Sequence, residues 1–156
     1  LPTDVFVRAV DSETTSLLAV AGDSIEGGLK VVSGRIKVSN AYGSELLPLT
    51  LQATAQYFGV SGWVNSITDN VTSLTLAANY NVVKNGSTTG TTTPAPTGAT
   101  ILNAGVRNIV LSVPTGGATG AATVSPGVPA YLPLTPGMAT FGVYSNRSNY
   151  IYRREN

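Results

Sequence analysis

One stretch does most to set the fold class of this chain. Residues 49–64 read LTLQATAQYFGVSGWV. Apolar side chains occupy every second position from Leu49 to Tyr57, which is the period of a β-strand that buries one face. Gly59 and Gly62 interrupt this pattern, and Trp63 resumes a strand-like run. Because a short glycine-containing connection between two such runs is typical of a β-hairpin, the stretch predicts two adjacent antiparallel strands.

The same alternation recurs on both sides of this hairpin. In residues 34–40 we expect Ile36 and Val38 to face inward, with Arg35 and Lys37 facing outward. Further short strands are predicted within residues 4–10, 105–114, 139–144 and 150–154, residues 71–83 carry mixed signals with Leu74 and Leu76 alternating as in a strand, and no convincing amphipathic helix is found. About eight to ten short strands separated by Gly, Pro and Asn turns predict an all-β fold. The simplest architecture is an antiparallel β-sandwich, either immunoglobulin-like or jelly-roll-like.

A long Thr/Gly/Pro-rich loop is expected to interrupt the strands. Residues 84–100 read KNGSTTGTTTPAPTGAT and carry a single charge. Segments of this composition are typical of surface loops, which is the interpretation that we favour. The alternative is an exposed loop that becomes ordered against a neighbouring subunit.

The composition excludes several classes of function. The 156 residues include neither His nor Cys, which removes Ser-His-Asp triads, Cys-His dyads, zinc fingers and the usual catalytic zinc sites. The formal net charge is +1, which argues against a nucleic-acid partner because such partners require a concentrated basic surface. No apolar run approaches the length of about 20 residues that a membrane-spanning helix needs. Only 11% of the residues are charged, against about 25% in typical soluble domains.

The N-terminal segment stands apart from the rest of the chain. Residues 4–10 alternate so that both faces of the strand carry apolar side chains, and a polar run follows at 12–16. We therefore divide the chain into an N-terminal strand or extension, 1–16, and a single β-sandwich domain, 17–156. The extension could add as a donor strand to the sheet of a neighbouring subunit, or it could pair within its own domain. The candidate subunit contacts are Val5, Phe6, Val7, Arg8, Ala9 and Val10.

Several sequence blocks resemble a known family. They are residues 34–49 (GRIKVSNAYGSELLPL), 55–58 (AQYF), 62–64 (GWV), 139–144 (ATFGVY) and 150–155 (YIYRRE). Together they are similar to the C-terminal domain of MshQ-like proteins, over roughly residues 27–155. Those proteins are associated with the biogenesis of mannose-sensitive haemagglutinin pili, a type IV pilus system of Gram-negative bacteria. The resemblance implies a secreted, surface-associated protein without an established enzymatic activity.

The chain departs from the pattern of this family at two places. Val71 stands where the family usually carries a Cys, so the resemblance implies that a disulfide at that position is lost. Residues 126–133 (PGVPAYLP) replace a segment that the family tends to make acidic. A calcium-like site there would be lost too, because calcium binding requires carboxylate oxygens. Without these links, stability must come from packing and strand pairing.

The sequence offers few residues for catalysis. A glycosidase needs two facing carboxyl groups, for which Glu45 and Asp69 are one conceivable pair, but isolated acids in β-proteins usually lie in solvent or cap turns. We therefore predict no catalytic residues, no metal ligands, no cofactor and no enzymatic activity.

Candidate binding and modification residues are more numerous. Trp63 is expected to pack beneath the sandwich, whereas Tyr150 and Tyr152 share one face of the last strand and are the candidates for ligand binding. Asn70, Asn85 and Asn146 each begin an Asn-X-Ser/Thr triplet and are candidate glycosylation sites.

These observations favour a non-catalytic structural protein of the bacterial cell surface. We expect a pilus-associated or self-assembling extracellular filament subunit joined by β-strand addition, since a surface of low charge associates readily. The expected partners are copies of this chain or pilus components, with no nucleic acid and no membrane span. The alternative is a surface adhesin or carbohydrate-binding module, which would place aromatic rings together on an exposed face and bind a glycan.

Overall fold

The computed structural model describes residues 2–7 and 27–142. This part of the chain is built from β-strands, with a 3₁₀ turn at Thr115–Gly117. The strands, in chain order, are β1 (Thr3–Val7), β2 (Gly27–Val31), β3 (Gly34–Val38), β4 (Ala41–Gly43), β5 (Leu49–Gly59), β6 (Gly62–Asn65), β7 (Ser73–Leu76), β8 (Tyr80–Lys84), β9 (Ser87–Thr92), β10 (Pro94–Ala95), β11 (Gly98–Ile101), β12 (Val106–Leu111), β13 (Gly120–Val124), β14 (Leu134–Thr135) and β15 (Gly137–Phe141).

The hairpin of residues 49–64 lies at the centre of a six-stranded sheet. Its strand order is β10-β12-β5-β3-β14, and β6 pairs with the end of β5. The pairs of β5 with β3, β6 and β12 are all antiparallel. β5 can hold three neighbours because it is eleven residues long, and Pro48 without an N–H donor stands just before its start.

A five-stranded sheet has the order β4-β15-β13-β8-β9. The three pairs from β15 to β9 are antiparallel. The pairs β15–β4 and, in the first sheet, β3–β14 are parallel, which differs from a purely antiparallel expectation. Both exceptions involve short strands of two or three residues at sheet edges. So short a strand forms few ladder hydrogen bonds, so the slightly weaker parallel pairing costs little there.

The hydrophobic core is formed by the inward faces of the strands. Ile36 and Val38 on β3 are buried, as the alternation predicts, and so are Leu51 on β5 and Phe141 on β15. The prediction of an all-β sandwich is confirmed. The remaining buried apolar side chains are Leu49, Ala53, Ala55, Leu74, Leu76, Tyr80, Val82, Leu102, Ile109, Leu111, Ala118, Ala122, Val124 and Ala139.

Two small sheets complete the described part of the chain. β7 pairs with β11 in one of them, and Leu74 and Leu76 of β7 contribute to the core. β1 pairs with β2 in the other, with Thr3 opposite Val31 and Val7 opposite Gly27. The expected division at residues 16 and 17 lies outside the described residues.

The prediction of a long loop at residues 84–100 is wrong, because this segment forms the strands β9, β10 and β11. β8 and β9 are joined by a two-residue turn in which Asn85 (φ 52°) and Gly86 (φ 81°) both have positive φ. Such turns match the twist of a hairpin.

Threonine hydroxyls explain why this segment can form strands. Thr89 Oγ1 lies 3.1 Å from the carbonyl oxygens of both Val82 and Thr119, either of which can accept its single hydroxyl hydrogen. Thr92 Oγ1 donates to the Ser112 carbonyl at 2.7 Å, and the Thr91 N–H donates to Thr115 Oγ1 at 2.9 Å. Polar side chains therefore satisfy backbone groups at this sheet edge, a role that composition alone does not reveal.

Candidate binding faces

The outer faces of the two sheets differ in charge. The strands of the six-stranded sheet contain no Asp or Glu, and two of their three cations, Arg35 and Lys37, point outward. Among the strands of the five-stranded sheet, Lys84 is the one charged residue. One face is therefore basic and the other is nearly uncharged.

A ladder of polar side chains crosses the basic face. Arg35, Gln56 and Asn65 are neighbours in register on β3, β5 and β6, so their side chains point to the same side of the sheet. Arg35 Nε donates to Gln56 Oε1 at 2.9 Å, and Gln56 Nε2 donates to Asn65 Oδ1 at 2.9 Å. These hydrogen bonds hold three long side chains in a fixed row.

Two aromatic rings lie next to this ladder. Phe58 and Trp63 are cross-strand partners in the β5–β6 hairpin, and their ring centroids are 5.3 Å apart at an interplanar angle of 73°. The Arg35 guanidinium lies 3.9 Å from the centroid of the Trp63 ring, within the range of a cation–π interaction. The expectation that Trp63 packs beneath the sandwich is wrong. It is 39% exposed, because its register with Phe58 directs it to the outer face.

The polar row continues along β5. Lys37 is exposed one row further on, opposite Thr54, and Gln52 Nε2 donates to Asn108 Oδ1 at 3.4 Å across β5 and β12. Arg107 lies on the opposite side of β12 from Asn108, because successive side chains of a strand alternate. The outer face therefore presents two cations, a row of amides and two aromatic rings.

A cleft of about 300 Å³ opens beside this face. Its lining includes Tyr57, Tyr131 and Asp69, and Tyr131 is 78% exposed. Asp69 lies between β6 and β7, where Oδ1 accepts the N–H groups of Val71 and Thr72 at 3.1 and 2.9 Å, and Oδ2 accepts the Thr72 hydroxyl at 2.6 Å.

These contacts determine the acidity of Asp69. Partial burial raises the pKa of the carboxyl group, but the hydrogen bonds from the side chain and backbone of Thr72 and from the backbone of Val71 together hold it below its usual range. The conceivable pairing with Glu45 has no support in these contacts. Asp69 is engaged with its own loop, and Glu45 Oε2 is buried beside Gly142.

The loop around Asp69 gives a first prediction. Asp69→Asn should lower the free energy of unfolding by about 1 kcal/mol at pH 7, since hydrogen bonds to a partly exposed carboxylate are weakened by solvent. A lowered pKa in the folded state contributes stability above the unfolded value of about 3.9, and this contribution is lost as the pH falls through the folded value. In urea unfolding at pH 7, 5 and 3, the difference in stability between the two proteins should therefore be smaller at pH 3 than at pH 7. A constant difference would contradict this role.

A comparison with known families assigns the chain. The family described as DUF6701, fourth domain, matches residues 32–156. The chain belongs to the DUF6701 family. No curated protein and no solved structure matches it. The match begins after β2, so β1 and β2 of this DUF6701 domain precede the region that defines the family.

The N-terminal candidates of the DUF6701 domain fall partly within the described chain. Val5 lies in β1, is 39% exposed and is the register partner of Leu29. Phe6 and Val7 belong to the same strand and pair with Gly28 and Gly27. The predicted contacts Arg8, Ala9 and Val10 lie outside the described residues.

The glycosylation candidates have different surroundings. The Asn70 side chain is already engaged, since its Oδ1 accepts the Ala104 N–H at 2.7 Å and its Nδ2 donates to the Thr68 carbonyl at 3.3 Å. Asn85 is exposed at the tip of the β8–β9 hairpin. Asn146, Tyr150 and Tyr152 lie outside the described residues.

The nearly uncharged face is the second broad surface of the domain. Tyr42 is 67% exposed and Met138 is 47% exposed on it. A shallow depression lined by Asn79, Asn81 and Thr123 lies at its β8–β13 side. The outward side chains of this face are Tyr42, Asn81, Val83, Thr91, Ala121, Thr123, Met138 and Thr140.

Residues 2–7 and 27–142 contain neither a metal-binding cluster nor a membrane-spanning helix. No group of three His, Cys, Asp or Glu side chains there could hold a metal ion. No helix in these ranges is long and apolar enough to cross a membrane.

Proposed function

We propose that this DUF6701 domain is a non-catalytic structural unit of a secreted bacterial protein, at the cell surface or in an extracellular filament. In this proposal it is associated with a pilus, as its resemblance to MshQ-like proteins implies. Copies join by β-strand addition through residues 4–10. The observation that carries the proposal is that β1 and β2 form a two-stranded sheet of their own among the described strands.

The pairing of β1 with β2 can be exchanged between copies. All five residues of β1 have a register partner in β2, so β2 offers an edge complementary to β1. Residues 8–26 separate the two strands in the sequence. The β1 strand of one copy could make the same main-chain hydrogen bonds with β2 of the next copy, as in domain swapping. Because the exchanged contacts are identical, the exchange requires no new recognition surface.

The surface chemistry supports association between copies. The chain has 9 Lys+Arg and 8 Asp+Glu, so copies repel each other little. The five-stranded sheet presents Tyr42, Met138 and Val83 among uncharged residues, which gives neighbouring copies an apolar contact area. Head-to-tail exchange produces a filament when the rotation between copies does not close.

A pair of cysteines tests this proposal. Val5→Cys combined with Leu29→Cys places two thiols at register partners in a chain that has no other Cys. After assembly and oxidation, we expect a ladder of covalent oligomers on non-reducing gels and filaments in negative-stain micrographs. Exchange between copies is the physical reason, because each thiol then faces the thiol of a different molecule.

The control for this experiment is Val5→Cys alone. It can form no species larger than a covalent dimer, because each molecule carries one thiol. If the double variant closes only within single chains, and the unmodified protein remains monomeric at high concentration, the strand-addition proposal is wrong.

A second candidate function is a surface adhesin or carbohydrate-binding module. The observation that favours it is the pair of the exposed Trp63 and the half-buried Phe58 beside the Arg35–Gln56–Asn65 ladder. Ligand sites typically combine aromatic rings with a few fixed polar groups. The two candidates use different surfaces and are compatible in one protein.

A further inference from the structure

We propose that the outer face of the six-stranded sheet binds an acidic saccharide, with the Trp63 ring as its platform and with Arg35 and Lys37 opposite its carboxylates. The proposal rests on the second candidate function and names its ligand class. It is independent of assembly through β1, which uses another part of the chain.

The Trp63 ring has the properties of a stacking platform. One sugar face carries mainly C–H groups, which pack favourably against a large aromatic ring. Trp63 is held in a T-shaped pair with Phe58, and the Arg35 guanidinium lies over one face of its ring, yet 39% of the Trp63 surface remains exposed. A ring that is held in place before binding loses little conformational entropy when a ligand stacks on it.

Polar groups beside the ring remain available to a ligand. Among the hydrogen bonds of the described residues, Arg35 uses Nε, and its two terminal nitrogens have no acceptor. Asn65 accepts through Oδ1, so its Nδ2 is available as a donor within the same set of contacts. The planar guanidinium matches a carboxylate with two parallel hydrogen bonds, and Gln56 holds that plane in position.

The charge of the face indicates the sign of the ligand. Lys37 lies two residues beyond Arg35 on the same side of β3, which separates their Cα atoms by about 7 Å. No Asp or Glu occurs in the strands of this sheet, and the carboxylate of Asp69, which lines the cleft beside Arg35, is engaged by hydrogen bonds from Val71 and Thr72. A saccharide with carboxylates gains from both cations, whereas a neutral saccharide gains only stacking and hydrogen bonds.

A nucleic acid is the other polyanion that stacks on aromatic rings. Its affinity depends on neutralising many phosphates, because most of the binding free energy comes from counterion release. Two cations on this face can neutralise about two phosphates, and the whole chain has a formal net charge of +1. The charge density therefore favours a saccharide.

The intrinsic fluorescence of the protein can report on binding directly, since Trp63 is the single Trp of the chain. The full chain is titrated with polygalacturonate, hyaluronate, their carboxyl-reduced neutral forms, and oligo-dT. We expect a saturable change of Trp fluorescence with an acidic polymer, at least fivefold weaker binding of its neutral form, and weaker binding of oligo-dT.

Two lysine variants provide a matched pair. Lys37→Gln removes a cation from the proposed site, and Lys84→Gln removes the same charge from the other sheet. We expect about two- to fivefold weaker binding for Lys37→Gln and unchanged binding for Lys84→Gln. In affinity electrophoresis, where no fluorescence is needed, Trp63→Ala should weaken binding at least tenfold while its thermal melt shows a folded protein.

The outcomes separate the proposals. Equal binding of acidic and reduced polymers overturns the acidic ligand and leaves a carbohydrate-binding module standing. Tighter, Trp63-dependent binding of oligo-dT overturns the saccharide. If the folded protein binds neither acidic polymer, the site proposed here is wrong. A separate glycan array then shows whether the domain is a carbohydrate-binding module at all.

Discussion

Replacing Gly105 with alanine is expected to lower the free energy of unfolding by at least about 3 kcal/mol. Gly105 has φ +73°, a conformation that L-residues adopt at a cost of about 1–2 kcal/mol. A Cβ at this position would also overlap the carbonyl oxygen of Ser66. That oxygen belongs to the backbone, so relief requires a segment of chain to move rather than a side chain to rotate.

The position of Gly105 explains why such a movement is costly. Its N–H donates to the Asp69 carbonyl at 2.7 Å, and its own carbonyl accepts the Ala55 N–H at 2.8 Å. The neighbouring Ala104 N–H is bound by the Asn70 side chain. One turn therefore fastens the loop after β6 to the central strand β5. Displacing it would break these three hydrogen bonds together.

A matched control separates the overlap from the backbone conformation. Gly98 also has φ +73°, but a Cβ there would meet no atom within 4 Å. Gly98→Ala should therefore cost about 1 kcal/mol, from conformation alone. Urea unfolding followed by circular dichroism measures both variants. Equal losses of stability for Gly98→Ala and Gly105→Ala would show that the overlap of the new Cβ with the Ser66 carbonyl oxygen does not contribute to the loss.

Strand alternation is the part of the fold that the sequence predicts well. Ile36 and Val38 are buried while Lys37 is exposed, and Leu49, Leu51, Ala53 and Ala55 share the buried face of β5. The period-2 pattern is local and follows from burial of one face, so it can be read without knowing the neighbours of a strand.

Strand alternation does not predict the strands of residues 84–100. These strands carry Thr and Gly in place of alternating apolar residues, and their stability depends on hydroxyl contacts with distant partners such as Ser112 and Thr115. One local signal was present. Asn85-Gly86 is the residue pair that favours a two-residue hairpin turn, and it marks the β8–β9 connection.

The basic face could not be predicted because it depends on register. Arg35 and Gln56 are 21 positions apart and Gln56 and Asn65 are nine apart, so only strand pairing brings them together. The expectation of an interior Trp63 fails for the same reason, since the period of β6 does not tell which of its two faces is outward. The sequence pattern predicts the strands, but only the register between the strands brings the residues of the basic face together.

The core of the sandwich provides the second large expected effect. Phe141→Ala should lower the free energy of unfolding by about 4 kcal/mol, which corresponds to a fall in melting temperature of about 10 °C. Phe141 is 1% exposed, and its register partners on β13 and β4 are Gly120 and Gly43. Because glycines have no side chains that could move into the space, the cavity left by the ring would remain largely open.

Tyr42→Ala is the control for this variant. Tyr42 belongs to the adjacent strand β4 and is 67% exposed on the outer face. The substitution removes an aromatic ring of similar size. Its removal should change the free energy of unfolding by less than about 1 kcal/mol. Thermal and urea unfolding of both variants measures the difference. Similar losses for Phe141→Ala and Tyr42→Ala would mean that β15 does not pack its inward face into the core, and the arrangement of the two sheets would need revision.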